Sequence, residues 1–323
     1  MGGKVFVKRF EELNKDLFEE CGGKAAHLGE LTSLKLNVPG GFSVLGDAYY
    51  RHLEVNGLKA RIDAAAATIN FDDFQELEEK TRQIREPITA APMPPEIEQE
   101  IIENYAMLSR DGVDPFVAVR SSVAIKDSTV SSFPGMMDTF HYIRGAQNVA
   151  QKVKECWASV WSGRAAFARH SKGLDHNKAV IAPTIQLMVN SEVAGVLFTL
   201  NPISGSKDEI VVESNWGLGE TVVCGRCQSD LYVMTKNPVT IKDKRVARKH
   251  ETYLQAEGGG AEWVEVAGEK VSRPTLTDAQ IEELCKIACF IEDHYGCCQD
   301  IEFAYEKNNL YILQARRARA GGE

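Results

Sequence analysis

The sequence has no basic block and no stripe in which aromatic and basic residues alternate. Its 37 lysines and arginines face 46 aspartates and glutamates, a net charge of -9. Proteins that hold nucleic acid by its phosphates carry the opposite balance, so no nucleic-acid partner is expected. An acidic chain that binds phosphate must do so with a local pocket rather than a global field. An apolar run long enough to span a bilayer is also missing, and the opening stretch MGGKVFVKRFEELNKDLF is polar and charged. The expectation is a cytoplasmic protein with no membrane partner. The phosphate loop GxxxxGK[ST] is absent: in the Gly-Gly-Lys turn at residues 22–24, Ala25 follows the lysine. Of 8 cysteines, Cys224 and Cys227 form a CxxC without a second matching pair, while Cys297 and Cys298 are adjacent. Zinc normally takes two such pairs, so reduced core thiols are expected instead. No internal repeat or low-complexity tract is present.

What is there suits a globular protein with a full core: 323 residues, 44% hydrophobic and 26% charged. After Gly22-Gly23, the spacing of Leu28, Leu31 and Leu34 predicts an amphipathic helix that stops before Pro39. Residues 60–110 read as acidic helices interrupted at APMPPE. FVAVRSSV reads as a strand followed by a polar loop to Asp138. A long helix is predicted over AQNVAQKVKECWASVWSGRAAFARH, with Val149, Val153, Trp157 and Val160 as its apolar stripe. The second half turns to short strands: TIQLMV, AGVLFTL, EIVVES, DLYVM and VTIKDK. Thr277 and Gln280 form a capping-box pattern for a late helix, with Gly296 fitting its C-terminal turn. Mixed helices and strands point to an α+β or α/β protein with two lobes, 1–185 and 186–323.

Three stretches carry candidate chemistry. The C-terminal QDIEFAYEKNNLYILQAR reads as a β-hairpin. With Lys307-Asn308-Asn309 as a three-residue loop, Glu306 pairs with Leu310. That register places Glu302 opposite Gln314 and Asp300 opposite Arg316, all four on one face. Carboxylate and amide oxygens there suit Mg²⁺, and the guanidinium suits phosphate oxygens. An exposed face with a weak surface ion pair fits the same residues. Lys24 follows a glycine turn that opens a helix, a setting that favours an anion, although a solvated lysine on a flexible turn fits equally. Arg120 sits where an apolar strand ends, and the loop after it holds Ser131, Ser132, Gly135 and Thr139, small residues that let backbone amides approach phosphates. Asp127 and Asp138 also fit as plain turn residues.

In order, GGKAAHLGEL, VPGGFSV, VRSSV, SSFPGMMDTF, IQLMV, AGVLFTLNPISG, ESNWGLGETVVCGR and QDIEFAY…LYILQAR resemble the nucleotide-binding domain of pyruvate phosphate dikinase, phosphoenolpyruvate synthase and rifampin phosphotransferase. The resemblance covers nearly the whole chain and implies an ATP-grasp-like, two-lobed α+β fold with ATP and Mg²⁺ as ligands. It implies that Lys24 and Arg120 contact the phosphates, with Gly135 and Thr139 in a covering loop. Gln186 and the backbone near Met188 would meet the adenine. Glu302 and Gln314 would hold Mg²⁺ beside Asp300, Arg316 would touch phosphates, and Glu213 the ribose or a phosphate. The departures are AIKDS where the dikinases often show an acidic AED segment, Cys298 and Arg317 in place of two prolines, and Phe303 in place of a tryptophan. The family passes phosphate through a histidine after a Gly-rich turn. None of His27, His52, His141, His170, His176, His250 and His294 has that setting. The chain is therefore expected to act with partner subunits, one bearing the histidine and one binding the acceptor, as phenylphosphate synthases do. A phenol is the expected acceptor, pyruvate and rifampin are alternatives, and a non-catalytic ATP-binding regulatory module is the reading from another class.

Overall fold

A computed structural model describes residues 4–124, 139–176 and 179–318, which divide into two compact units. One comprises Met1–Ser33 and Gly40–Met188; the other comprises Leu34–Pro39 and Val189–Glu323.

The first unit is built on a sheet of order β1-β2-β7-β3-β5, with β1 Val7–Arg9, β2 Gly41–Val44, β3 Val117–Arg120, β5 Thr139–Ile143 and β7 Thr184–Leu187. A second small pair joins β4 Val123–Ala124 to β6 Val180–Ile181. The expected boundary at 185/186 falls inside β7, which is hydrogen-bonded to β2 on one side and β3 on the other. Those two ladders keep Gln186 in this sheet.

The helices of this unit are α1 Phe18–Ser33, α2 Gly46–Val55, α3 Lys59–Ala66, α4 Phe74–Ala90, α5 Pro95–Leu108, α6 Ala146–Ser159 and α7 Gly163–Ser171. Leu34 lies beyond the end of α1, so the predicted stripe keeps only its buried members Leu28 and Leu31. The single helix expected over 146–170 is two. Ser162 takes extended geometry (φ -61°, ψ 146°) and its hydroxyl accepts from the Ala165 amide at 3.2 Å, which ends one helix and caps the next. The stripe of Val149, Val153, Trp157 and Val160 is buried as predicted, against Ile84, Ile88, Ile97 and Ile101 of α4 and α5 and Val117, Val119 and Ile185 of the sheet.

The second unit is an antiparallel sheet of order β11-β10-β9-β8-β14-β15. Its strands are β8 Val193–Phe198, β9 Glu209–Trp216, β10 Asp230–Lys236, β11 Val239–Arg245, β14 Gln299–Glu306 and β15 Asn309–Arg317. A separate hairpin, β12 Glu251–Gln255 and β13 Ala261–Glu265, is not foreshadowed by the sequence pattern, nor is the short helix α8 Glu220–Val223. Helix α9, Asp278–Tyr295, carries the predicted capping box at Thr277 and Gln280 and the left-handed Gly296 at its end. It covers the face of the sheet that holds Ile301, Phe303 and Tyr305: the Tyr305 hydroxyl donates to the Gln280 carbonyl at 2.9 Å. Among the described residues no helix is long and apolar enough to cross a membrane.

The hairpin loop differs from expectation. Glu306 pairs with Asn309, so the turn has two residues, Lys307 (φ 48°) and Asn308 (φ 65°), both left-handed as a type I′ turn requires. The ladder then shifts by one residue at Glu302/Phe303, a bulge that restores the pairs Glu302–Gln314 and Asp300–Arg316. The turn and the bulge compensate, so the register at the open end is the predicted one.

All 8 cysteines are free thiols, but only Cys21, Cys156 and Cys285 are buried, as core thiols should be. Cys224 is exposed and Cys227 half-buried, because the CxxC lies in a surface bend after α8. Core packing therefore does not account for that pair.

A fully buried ion pair anchors the second unit. Lys249 Nζ lies 2.6 Å from Asp230 Oδ1, both side chains 0% exposed. The carboxylate also accepts from the Ala247 amide, the Thr275 amide and the Thr275 hydroxyl. Removing one member leaves a desolvated charge behind. Lys249→Met is expected to lower the unfolding free energy of this unit by about 3–5 kcal/mol, read from urea denaturation. A change under about 1 kcal/mol would mean the pair behaves as a surface one.

Candidate functional site

In the first unit the fold joins two stretches that lie far apart in sequence. The helical geometry of α1 is broken at Gly22, whose φ of 73° and ψ of 163° are extended and positive. A Cβ built there would lie 2.4 Å from Ser122 Oγ and 2.8 Å from the Val123 carbonyl. Glycine is required twice over, by conformation and by space. The turn is thereby seated on the chain just past Arg120, and the Lys24 amide donates to Ser122 Oγ at 3.1 Å. Ser122 is only 3% exposed, and the sequence pattern assigns it no role. The doublet after Arg120 is visible in the sequence, but which serine faces the turn is set by tertiary contact.

Arg120 ends β3, opposite Thr184 on β7 and the exposed Thr139 on β5. Its Nη1 donates to Gln186 Oε1 at 3.0 Å. Gln186 is buried, two residues along β7 on the face Arg120 uses, so it holds the guanidinium in place. The amide of half-buried Met188 donates to the Phe116 carbonyl at 2.9 Å. Lys24, Arg120, Thr139, Gln186 and Met188 thus all belong to this unit, while Gly135, Asp127, Ser131, Ser132 and Asp138 lie outside the described residues.

In the second unit the candidates form a row across the sheet. Glu213 on β9 is opposite Val196 on β8, Val196 is opposite Glu302 on β14, and Glu302 is opposite Gln314 on β15. Directly opposed residues share a face, so Glu213, Glu302 and Gln314 point the same way, away from α9. The next row on that face runs Val211, Phe198, Asp300, Arg316. Arg316 places Nε and Nη2 on Asp300 Oδ2, at 2.8 and 2.7 Å. The pair is buried at one end only: Asp300 is 7% exposed, whereas the Arg316 side chain is 42% exposed. The flanking Val196 and Phe198 are half-buried, and the sequence singles out neither, because strand pairing rather than local pattern puts them beside the carboxylates.

Burial disfavours the charged form of two acids on this face. Burial pushes Asp300 up from the usual carboxylate value; Arg316 opposes that shift and Glu302 adds to it. Burial alone pushes Glu213 up. The donors are carboxylate and amide oxygens, the set a hard divalent cation takes, and a cation here would offset the desolvation of the acids. Among the described residues no group of three or more His, Cys, Asp or Glu is arranged to hold a metal. Two side-chain ligands would leave the rest of an octahedral shell to water and phosphate oxygens, as Mg²⁺ prefers.

A lysine whose backbone is held at a glycine turn, an arginine held at a strand end and an oxygen-rich sheet face are the parts of a nucleotide-binding protein. The chain belongs to the pyruvate phosphate dikinase, AMP/ATP-binding domain family, whose model matches residues 18–323. The fold is accordingly the ATP-grasp-like one that the sequence motifs implied. It is 40% identical to a probable phosphoenolpyruvate synthase of Methanocaldococcus jannaschii over 96% of this chain and 26% of the relative. It is likewise 40% identical to a probable phosphoenolpyruvate synthase of Pyrococcus horikoshii and 39% identical to the phosphoenolpyruvate synthase of Pyrococcus furiosus, each over 96% of this chain and 43% of the relative. The chain thus spans less than half the length of these curated relatives.

Two outcomes test the geometry. Gly22→Ala should lower the unfolding free energy by about 1–2 kcal/mol for the left-handed backbone alone, with the Ser122 clash added, and an unchanged midpoint in chemical denaturation would contradict the seating of the turn. Glu213 has a raised folded pKa, so its ionisation disfavours the folded state: the stability linked to its protonated form is present below the unfolded pKa and lost as pH rises through the folded one. Glu213→Gln should therefore be more stable than the parent chain at neutral pH, with an advantage that shrinks as pH falls through the carboxylate range. A constant difference across that range would contradict the burial of Glu213.

Proposed function

We propose that this chain carries out the ATP half-reaction of a dikinase-type phosphotransfer with bound Mg²⁺, feeding a histidine borne by a partner subunit. The histidine ring nitrogen attacks the β-phosphorus of ATP, the bond from that phosphorus to the bridging α-oxygen breaks, and the electron pair leaves with AMP. The pyrophosphoryl unit is left on the histidine and its terminal phosphate is released to water, so that one phosphoryl remains for the acceptor.

The observation that supports this reading most is the register that puts Glu302, Gln314, Asp300 and Arg316 on one sheet face. Glu302 and Gln314 would hold the Mg²⁺, with Asp300 beside them. That ion would neutralise phosphate charge. Arg316, oriented by Asp300, and Lys24 and Arg120 of the other unit are assigned to phosphate oxygens, where fixed cations stabilise the charge that develops on transfer. Gln186 is assigned two tasks, contact with the adenine and orientation of Arg120, with Met188 and Glu213 toward the nucleoside and Gly135 and Thr139 toward the phosphates. The first unit would thus contribute phosphate contacts and the second unit the metal hairpin. Pyruvate is the favoured acceptor, because the relatives above are named phosphoenolpyruvate synthases; a phenol, expected from the sequence, is the alternative and would call for a separate acceptor-binding subunit.

The test is label transfer from β-labelled ATP to the histidine partner, with AMP counted in parallel. Glu302→Gln and Arg120→Ala should each reduce both by about 10²–10³-fold, while supplying pyruvate or phenol to the complete assembly distinguishes the acceptors. Full labelling by either variant would refute the assignment. Tight ATP binding without AMP, in the presence of the partner, would favour a regulatory module instead.

A further inference from the structure

The CxxC pair sits where neither the core nor the nucleotide chemistry needs it. Cys224 follows α8 as its C-terminal cap, with φ -80° and ψ -10°, and is exposed. Gly225 then turns the chain with φ 69°. The backbone folds back on the first thiol: the Arg226 amide donates to Cys224 Sγ at 3.4 Å. The second thiol, Cys227, is half-buried and its Sγ lies 3.7 Å from the Glu251 carbonyl on β12. The two thiols feel one another, since burial first and the neighbouring Cys224 second push Cys227 upward. An exposed thiol that receives an amide hydrogen bond, with a half-buried second thiol three residues on, is the arrangement of an attacking and a resolving cysteine.

Arg226, the second of the two residues between them, fastens this bend to the β12–β13 hairpin. Arg226 Nε donates to Glu251 Oε2 at 2.8 Å, its Nη2 meets the other carboxylate oxygen, and its guanidinium lies 4.5 Å from the Trp263 ring. Trp263 in turn packs on Tyr253 at 4.9 Å between ring centres. The hairpin is tied on its other side to the end of β9, where Thr252 Oγ1 donates to the Trp216 carbonyl at 2.8 Å and the Leu218 amide to the Tyr253 carbonyl at 2.9 Å.

We propose that Cys224 and Cys227 form a thiol-modification site that closes to an intra-loop disulfide with a small disulfide oxidant such as oxidised glutathione, and that closure releases the Arg226 clasp on the β12–β13 hairpin. The Cys224 thiolate attacks one sulfur of the oxidant, and a glutathione thiolate leaves. The Cys227 proton passes through water to the glutathione thiolate already released, Cys227 Sγ attacks Cys224 Sγ, and the second glutathione leaves as a thiolate that takes its proton from solvent. Two protein thiols are oxidised, one disulfide is reduced to two thiols, and no other reactant is needed. Drawing the two sulfurs into bonding distance, about 2 Å, takes Cys227 off the Glu251 carbonyl and turns the intervening Arg226 away from Glu251 and Trp263.

The test incubates the full chain with stepped ratios of oxidised to reduced glutathione, traps free thiols by alkylation and maps the peptides. The parent chain should yield a 224–227 peptide lighter by two hydrogen atoms. Cys227→Ser should stop at a glutathione adduct on Cys224, and Cys224→Ser should give no adduct at 227. Hydrogen exchange of the β12 and β13 amides should accelerate by about tenfold in the oxidised parent but not in oxidant-treated Cys224→Ser. Arg226→Ala should reproduce the faster exchange without oxidant. A parent chain that stops at the mixed disulfide, or stays reduced where small dithiols oxidise, overturns the site. A 224–227 disulfide with unchanged hairpin exchange overturns the release.

Discussion

A single extra residue in β15, Leu313, decides whether Gln314 and Arg316 share a face with the acidic side chains of β14. The tight turn at Lys307-Asn308, continued without interruption, would pair Glu302 with Leu313 and set Gln314 against the wrong neighbour. The bulge at Glu302/Phe303 shifts the ladder by one and aligns Gln314 with Glu302, which the unbroken β14–β8 and β8–β9 ladders already place in one row with Glu213. Because side chains alternate along a strand, that one-residue shift separates a coherent polar face from a scattered one. The apolar partners Ile301, Phe303 and Tyr305 stay under α9, so burial on the covered face and polarity on the open face are fixed together.

The first unit solves a different problem, placing a lysine backbone and holding an arginine side chain without a Walker loop. Gly22 brings the helix start into contact with Ser122 and Val123, and Gln186 restrains Arg120 from the neighbouring strand. A long arginine loses rotamer freedom when it binds a ligand, and a side chain already hydrogen-bonded in the folded state loses less. The second unit achieves the same with Asp300, whose two contacts from Arg316 orient that guanidinium at the cost of burying a carboxylate.

Much of this is legible from local pattern. Periodicity marks the stripe of Val149, Val153 and Trp157, and cap chemistry marks both ends of α9. Alternation alone assembles the polar set of the ribbon, although it makes the turn one residue too long and misses the bulge. Two errors of opposite sign cancel at the site, because the pairing of apolar residues across β8, β14 and β15 constrains the outcome more tightly than the loop does. The rest depends on tertiary contact. The break at Ser162, the role of Ser122 and the hairpin of Tyr253 and Trp263 have weak local signals, and the fully buried Lys249 carries none in its own neighbours. The expectation of core thiols fails at the CxxC for a related reason: composition cannot tell a thiol under a helix from one in a surface bend.

On the reading proposed above, the open face of the ribbon takes a divalent cation that accompanies a nucleotide. Crystals grown with Mn²⁺ and a non-hydrolysable ATP analogue test it most directly through the anomalous signal of the metal. The expected result is a peak within coordination distance of a Glu302 carboxylate oxygen and Gln314 Oε1. A peak bound elsewhere on the chain, with those two side chains facing only solvent, would contradict it.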